Sequence, residues 1–159
     1  MGLVDDYISR ATESLNKDDI ATAIQMYREA LKLDPDDPTA LTGLGTALDE
    51  VGELENAVEC YKKALKVDSE DVIAHSGLGI VYEKQGSNDL AVREFRAALS
   101  LDKETALSHI AYARDRHEKS LLREKAAYEA QVSELEKIIR RYRRTTKLVD
   151  RSVSKVNSN

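Results

Sequence analysis

The side chains that could carry out catalysis or bind a metal ion are few in this sequence, and they are widely separated. The three histidines, His75, His109 and His117, are far apart in the chain, and Cys60 has no histidine or second cysteine near it. Nucleophilic catalysis and metal binding both need several such groups to converge on one point. We therefore expect no enzymatic activity, no metal and no cofactor, and we interpret the histidines as packing or surface residues.

Carboxylates cluster in segments that have the composition of turns. Asp34, Asp36 and Asp37 surround Pro35, and they lack the ligand spacing and the glycine of a calcium-binding loop. No glycine-rich phosphate-binding loop occurs either. Solvated turns between structural units are the simpler interpretation of these carboxylates.

The composition is that of a mostly helical protein. Of the 159 residues, 33% are charged and 42% are hydrophobic, with only 7 glycines and 2 prolines, too few for a sheet-rich fold with many turns. The sequence has no run of about 18 apolar residues that could span a membrane, and its acidic N-terminus lacks the layout of a signal peptide. The single cysteine excludes an intramolecular disulfide, so we expect a reducing, cytoplasmic location.

The net charge of −5 conceals an asymmetry along the chain. Residues 1–105 contain 22 acidic and 11 basic side chains, whereas residues 106–159 contain 7 acidic and 13 basic ones. A chain with this asymmetry has two surfaces that bind different partners, or one surface that attracts the other.

An internal repeat of 34 residues organises most of the chain. The clearest correspondences are Leu44-Gly45 with Leu78-Gly79, Gly52 with Gly86, Ala57 with Ala91, Tyr61 with Phe95, and Ala64-Leu65 with Ala98-Leu99. The second half of the unit also recurs upstream, at Ala23, Tyr27 and Ala30-Leu31. A period of this length predicts stacked units that share one continuous core.

Each unit has the pattern of two helices joined by a short turn. In the central unit the small or apolar residues fall on one helical face before Gly52 and again after it. Gly45, Ala57 and Ala64 have almost no side chain, so two helix backbones can approach closely there, and the ring of Tyr61 is expected to fill the gap beside them.

These small and large positions resemble the tetratricopeptide repeat family, and the resemblance covers residues 4–105. The matching residues of the central unit are Leu44, Gly45, Ala57, Tyr61 and Ala64. We therefore predict an all-α fold, an α-solenoid of three helical hairpins with a capping helix that continues into a long C-terminal coiled-coil helix. The predicted boundaries are 4–37, 38–71 and 72–105 for the hairpins and 106–117 for the capping helix, which together form a domain of residues 1–117.

The resemblance implies a concave groove, lined by the first helix of each unit, that binds peptides or helices. The residues at the matching positions are Ile8, Thr12, Thr39, Thr42, Gly43, Thr46, Asp49, Ile73, Ser76, Gly77, Ile80 and Glu83. Gly43 and Gly77 are expected to leave room for a bulky ligand side chain or a close helix backbone. The acidic rim of the groove favours an apolar or helical protein segment with basic flanks.

One well-known use of this groove in the family is a clamp of Lys, Asn and Arg that grips the carboxylates of chaperone tails. The five clamp positions correspond here to Ile8, Thr12, Gly43, Ile73 and Gly77. None of these residues can hold an anion through charge, so the clamp is rejected.

Residues 118–153 show a heptad rhythm that predicts a left-handed coiled coil. The predicted seam residues are Leu121, Tyr128, Val132, Leu135, Ile139, Tyr142 and Val149. Lys125 and Thr146 are poor core residues within this seam. The polar tail, residues 154–159, is expected to fray.

A basic cluster overlaps the end of this helix. It consists of Arg140, Arg141, Arg143, Arg144, Lys147 and Arg151. Its members spread around the helix instead of forming one stripe, and Tyr142 is the only aromatic residue among them. A solvated coiled-coil exterior, or a helix that pairs with an acidic repeat surface, is the favoured interpretation, and a nucleic acid or an acidic membrane is the alternative.

The sequence thus predicts a protein-interaction adaptor or scaffold. The groove would hold a protein segment, and the C-terminal helix would form a homo-oligomer or dock on a partner helix. Two alternatives stay open: a nucleic-acid or membrane-surface binder that acts through the basic cluster, and a co-chaperone-like regulator whose C-terminal helix occupies a groove as a pseudo-ligand.

Overall fold

The computed structural model describes the backbone of residues 2–156 and the side chains of residues 2–144, 146 and 147. Within these residues the fold is all-α, which confirms the prediction. The helices are α1 (Leu3–Asn16), α2 (Ile20–Leu33), α3 (Pro38–Glu50), α4 (Leu54–Val67), α5 (Val72–Lys84), α6 (Asn88–Leu101) and α7 (Lys103–Val156). Consecutive helices pair into three hairpins, α1–α2, α3–α4 and α5–α6, and α1 contacts α3 as α3 contacts α5. The first helices of the hairpins are therefore neighbours along one side of the stack.

The chain divides into two compact units, Met1–His117 and Glu118–Asn159. The first unit contains the three hairpins and the beginning of α7, which starts at Lys103 instead of the predicted residue 106. In the second unit the helix continues through Val156, past the point where fraying was expected to begin, and residues 157–159 lie outside the described part of the chain.

The turn inside each hairpin contains, at the same position of the repeat, one residue with a left-handed backbone conformation. Gly52 and Gly86 have φ values of +80° and +75°, and Asp18 takes the equivalent position with φ +66°. The residue that follows each of them donates its backbone N–H to the carbonyl five residues earlier, as in the helix-ending motif that favours glycine. The cap of α2 comes from Asp19, which accepts from the Thr22 N–H, and not from Asp18.

Each of the two turns between hairpins contains two aspartates, one that stabilises the turn and one that caps the next helix. The carboxylates of Asp34 and Asp68 each accept a hydrogen bond from the backbone N–H two residues later. Asp37 and Asp71 then cap α3 and α5 by accepting from the third backbone N–H of the helix. The carboxylate clusters thus stabilise the turns and cap the helices that follow them.

The core contains small residues at the helix crossings and one large ring in each hairpin. Ala23, Ala57 and Ala64 are fully buried, and Tyr61 is 1% exposed. Small residues at crossings let helix axes approach, and close packing of the ring against them buries a large apolar area.

Candidate functional site

The two glycines that were expected to leave room for a ligand are covered by the protein's own tyrosines. A Cβ atom added at Gly43 would collide with the Tyr27 ring, and one added at Gly77 would lie 2.5 Å from Tyr61 Cζ. The expectation of free space is therefore wrong at Gly77, which is buried, whereas Gly43 keeps half-exposed surface. The second helix of the first and second hairpins inserts its ring under the first helix of the next hairpin.

This ring arrangement follows a spacing that sequence analysis missed. Tyr61 lies between Gly45 and Gly77, which are sixteen residues before it and sixteen residues after it. Tyr27 has Gly43 at the same forward spacing. A ring flanked by very small residues at this spacing, on both sides, could have identified the packing from the sequence.

Two threonines predicted to line the groove are hydrogen-bonded to these rings. Thr12 Oγ1 lies 3.1 Å from Tyr27 Oη, and Thr46 Oγ1 lies 3.1 Å from Tyr61 Oη. Each threonine precedes its tyrosine by fifteen residues, and the residue fifteen positions before Phe95, which has no hydroxyl, is Ile80. Burial raises the pKa of both tyrosines, so the threonines satisfy neutral phenol groups.

Several other predicted groove residues are buried or paired within the chain. Ser76 is fully buried and Ile80 is 3% exposed, so neither is available to a ligand. Thr42 donates its hydroxyl to Asp71 Oδ2, while Asp49 and Glu83 form ion pairs with Lys84 and Arg114. The predicted residues that keep exposed or half-exposed surface are Ile8, Thr12, Thr39, Gly43, Thr46, Ile73 and Glu83.

Part of this set lines an open cavity of about 440 Å³ on the first-helix side of the stack. The cavity brings together four predicted residues from α3, namely Thr39, Thr42, Gly43 and Thr46, and Ile73 from α5. The remaining lining residues are Leu15, which the family resemblance also places in the groove, and Tyr27, Pro38, Asp68 and Asp71, which were not predicted to line it. The floor is therefore largely apolar, and two carboxylates from the turn before α5 stand at its edge.

A second cavity, of about 520 Å³, lies between α5 and the beginning of α7. It is lined by Ile73, Asp102, Glu104, Thr105, Ser108, His109 and Tyr112. Ile73 borders both cavities. The His109 Nδ1 atom lies 2.8 Å from Ser76 Oγ, whose hydroxyl also contacts the backbone carbonyls of Val72 and Ile73.

Burial lowers the pKa of His109, and the nearby carboxylates of Asp71 and Asp49 oppose that shift. The imidazole is therefore neutral in the folded protein at a pH where the unfolded chain already binds a proton. Because the unfolded state then holds more protons, the free energy of unfolding falls as the pH drops below about 6.5.

Urea denaturation at about pH 7.5 and about pH 5.5 tests this, with His109→Gln as the comparison protein. We expect the wild type to lose more stability on acidification, with a difference of at most about 1.4 kcal/mol per pH unit, the contribution of one proton. Groups that titrate in both proteins cancel in the difference. Equal losses would mean that His109 is not held neutral by the fold.

The acidic rim that was expected to attract a basic ligand is largely neutralised by cations of the chain itself. Arg116 of α7 donates through Nη2 to Glu50 Oε2 at 2.6 Å and to Asp18 Oδ1 at 3.0 Å, and through Nη1 to the Leu15 carbonyl. Its guanidinium thus joins α7 to the first and second hairpins. Burial raises the pKa of Glu50, while the hydrogen bond from Arg116 lowers it.

No functional role was predicted for Lys84, Arg114 or Arg116. The only signal was the opposite charge of the two parts of the chain, which allowed one surface to attract the other. Position in the sequence could not show which cations contact the acidic residues of the hairpins, because Arg116 and Asp18 are 98 residues apart.

In the second unit, the described seam residues lie on the surface. Tyr128, Leu135 and Tyr142 are 68%, 59% and 69% exposed, and Leu121, Val132 and Ile139 are also exposed. The side chain of Val149 lies outside the described residues. A shallow cavity on this helix is bordered by Tyr128, Glu129, Val132, Ser133 and Glu136.

The described members of the basic cluster are exposed as well. Arg140 pairs with Glu136 one helical turn earlier, at 3.1 Å, a geometry that contributes little at an exposed site. The side chain of Arg151 lies outside the described residues, and nothing in the described part brings these cations together at one point.

The described residues contain no group of three or more His, Cys, Asp or Glu side chains that could hold a metal ion. His75 instead bonds Glu94 Oε2 at 2.8 Å within the third hairpin. Burial raises the pKa of the Cys60 thiol, which makes it less reactive.

No described helix has the length and apolarity needed to cross a membrane.

Two family models match most of the hairpin region. A model described as TPR repeat matches residues 16–52 and 50–86, and a model described as tetratricopeptide repeat matches residues 74–105. No curated protein sequence matches the chain.

Solved structures share this architecture. The Arabidopsis OM64 TPR domain superposes with a TM-score of 0.63 at 23% identity, covering 70% of this chain and 94% of that one. The second TPR of Spaghetti (RPAP3), bound to an HSP90 peptide, gives 0.61 at 17% identity, covering 62% and 92%. A structure of MamA gives 0.57 at 27% identity, covering 65% of this chain and 56% of that one.

Proposed function

The chain belongs to the tetratricopeptide repeat family, and from that premise we propose that it is a protein-interaction adaptor with two binding surfaces. The first is the cavity beside α3, which would hold an apolar side chain of a partner protein. The second is the exposed apolar stripe of α7 in residues 118–147, which would associate with another helix. Tetratricopeptide domains are in general non-catalytic interaction modules.

The cavity beside α3 is the observation that carries this proposal. Its apolar floor contains Leu15, Pro38 and Ile73, and its volume of about 440 Å³ is within the range of small-ligand sites. An aromatic or a large aliphatic side chain would fit such a cavity. The neighbouring backbone could then run along the exposed Thr39 side of α3.

The charge at the edge of the cavity indicates which residues would flank that side chain. Within the described residues, Asp68 and Asp71 have no ion-pair partner, in contrast to Asp49 and Glu50, which pair with Lys84 and Arg116. A lysine or arginine of the ligand would supply the missing partner. We therefore propose a segment with an apolar anchor next to a basic residue.

A ligand with an acidic tail fits this surface poorly. The structurally similar second TPR of Spaghetti is bound to an HSP90 peptide, but at 17% identity the similarity carries the fold alone. At the five clamp positions this chain has Ile8, Thr12, Gly43, Ile73 and Gly77. These residues offer no positive charge, and the two aspartates at the cavity would repel carboxylates.

Selection of a displayed library of random twelve-residue peptides on the full chain tests this proposal. We expect enriched peptides to combine an aromatic or large aliphatic residue with a neighbouring lysine or arginine. Thr39→Trp, which places an indole beside the cavity from an exposed position, serves as the matched control and should not retain those peptides. Enrichment of acidic peptides, or equal retention by both proteins, would overturn the proposal.

The second surface is proposed for self-association or for docking on a partner helix. Its seam residues are apolar and exposed, which is unusual for a helix that has no partner. The heptad spacing favours another helix over an irregular surface.

A further inference from the structure

The described helix of the second unit has a continuous stripe of exposed large apolar side chains. Its members are between 36% and 69% exposed: Leu121, Leu122, Tyr128, Val132, Leu135, Ile138, Ile139 and Tyr142. Leu121, Tyr128, Leu135 and Tyr142 occupy the d positions of the heptads, and Val132 and Ile139 the a positions. The apolar a and d positions of this stripe have the spacing of a coiled-coil seam, and Leu122 and Ile138 widen it.

The middle of this helix contains two adjacent blocks of opposite charge. Residues 127–136 contain three glutamates and no basic residue, whereas residues 137–147 contain six basic residues and no acidic one. The boundary between the blocks is at Lys137.

A parallel pairing of two such helices would place like charges together. The basic block would lie beside the basic block of the second copy. Between the flanking g and e positions, Glu124 would face Glu129 of the second copy, and Ile138 would face Arg143, so the described residues supply no attractive pair.

An antiparallel pairing centred on Lys137 places each block against its opposite. Leu135 then meets Ile139 of the second copy, and Val132 meets Tyr142, so the apolar layers stay matched. Arg143 lies beside Glu129 of the second copy, with Glu136 on its other side, whereas Glu136 of each copy faces Glu136 of the other.

We propose that this helix binds the same helix of a second copy of the chain, as an antiparallel two-stranded coiled coil centred on Lys137. The inference rests on the self-association proposed above and adds its partner and its direction. The apolar stripe drives the association, and the two charge blocks select the antiparallel orientation over the parallel one.

The orientation is measurable because the chain has a single cysteine. A spin label at Arg123→Cys, in the full chain with Cys60→Ser, reports the distance between the two copies by electron-electron double resonance. Antiparallel helices centred on residue 137 separate the labels by 28 residues of helix, about 42 Å at 1.5 Å per residue, whereas parallel helices bring them within about 20 Å.

Charge reversal gives an independent readout by sedimentation equilibrium. Arg143→Glu is expected to weaken the dimer about tenfold, because the new carboxylate would lie beside Glu129 of the second copy. Adding Glu129→Arg to the same chain should restore the affinity. In a parallel dimer the single change would not weaken association, because it removes a positive charge from two adjacent basic blocks.

The outcomes separate the two levels of the proposal. A label distance near 42 Å with the expected loss and rescue supports the antiparallel dimer. A dimer with a short label distance overturns the orientation and leaves self-association intact. A chain that sediments as a monomer overturns both self-association and this inference.

Discussion

Replacing Gly77 with alanine is expected to lower the free energy of unfolding by about 2–3 kcal/mol. The same change raises stability by about 1 kcal/mol in an unconstrained helix interior, so the sign of the effect is informative. The added Cβ would lie 2.5 Å from Tyr61 Cζ and 2.6 Å from its Oη. The ring cannot retreat, because Tyr61 is 1% exposed and Gly45 also packs closely against it.

A double-mutant cycle shows whether the ring is the cause. Chemical denaturation is measured for Gly77→Ala in the wild-type chain and again in a chain with Tyr61→Leu, whose shorter side chain leaves space for the methyl group. We expect the penalty to shrink or change sign in the second background. A stabilised Gly77→Ala protein, or the same penalty in both backgrounds, would contradict this packing.

Replacing Arg116 with alanine is expected to cost about 3 kcal/mol of unfolding free energy. The Arg116 side chain is 17% exposed and bonds Asp18, Glu50 and the Leu15 carbonyl. Its removal leaves the half-buried Glu50 carboxylate without a cation and breaks the link between α7 and the first two hairpins. Breaking a partly buried pair from one side is costly because the remaining charge is not rehydrated fully.

Arg114→Ala is the matched control, since it removes an arginine from the same helix two residues away. Arg114 is 59% exposed and its partner Glu83 is 46% exposed, so we expect a loss below about 1 kcal/mol. Urea denaturation of both variants measures the contrast. Similar losses for the two arginines would mean that Arg116 does not join the hairpins.

The architecture could be predicted from the sequence because each repeat encodes its own contacts. The ring at Tyr61 and the small residues at Ala57 and Ala64 are close in sequence and recur every 34 residues. The left-handed turns were predictable for the same reason, since Gly52 and Gly86 mark them directly. Asp18 has the same left-handed conformation without being a glycine, so here the position in the repeat predicts the turn better than the residue type does.

The groove was less predictable because its surface depends on contacts between repeats. Whether Gly43 and Gly77 face a ligand or a ring depends on how far the preceding hairpin inserts its tyrosine. The role of Arg116 depends on how the hairpins pack on one another, which brings the beginning of α7 close to Asp18. Residue types within one repeat cannot determine either feature.

The position of the two carboxylates at the edge of the cavity could not be predicted from the sequence either. The sequence predicts Asp68 and Asp71 as turn residues. In the structure, Asp68 accepts a hydrogen bond within the turn and Asp71 caps α5. Their second property, a position at the edge of an apolar cavity, arises only when α5 packs beside α3. One residue can therefore serve the fold and a proposed binding site together.

The most direct test of an adaptor function is the calorimetric titration of a selected basic-flanked peptide into three full-length proteins: the wild type, Asp68→Asn and Asp34→Asn. Both substitutions keep an oxygen that accepts the turn hydrogen bond and remove one negative charge. Only Asp68 lines the cavity. The two variants therefore match in everything except the location of the lost charge.

We predict that Asp68→Asn weakens peptide binding about five- to tenfold, as expected for the loss of one attractive charge, about 1 kcal/mol. Asp34→Asn should bind as the wild type does. Equal affinities for all three proteins, or the same loss in both variants, would contradict binding at the cavity beside α3.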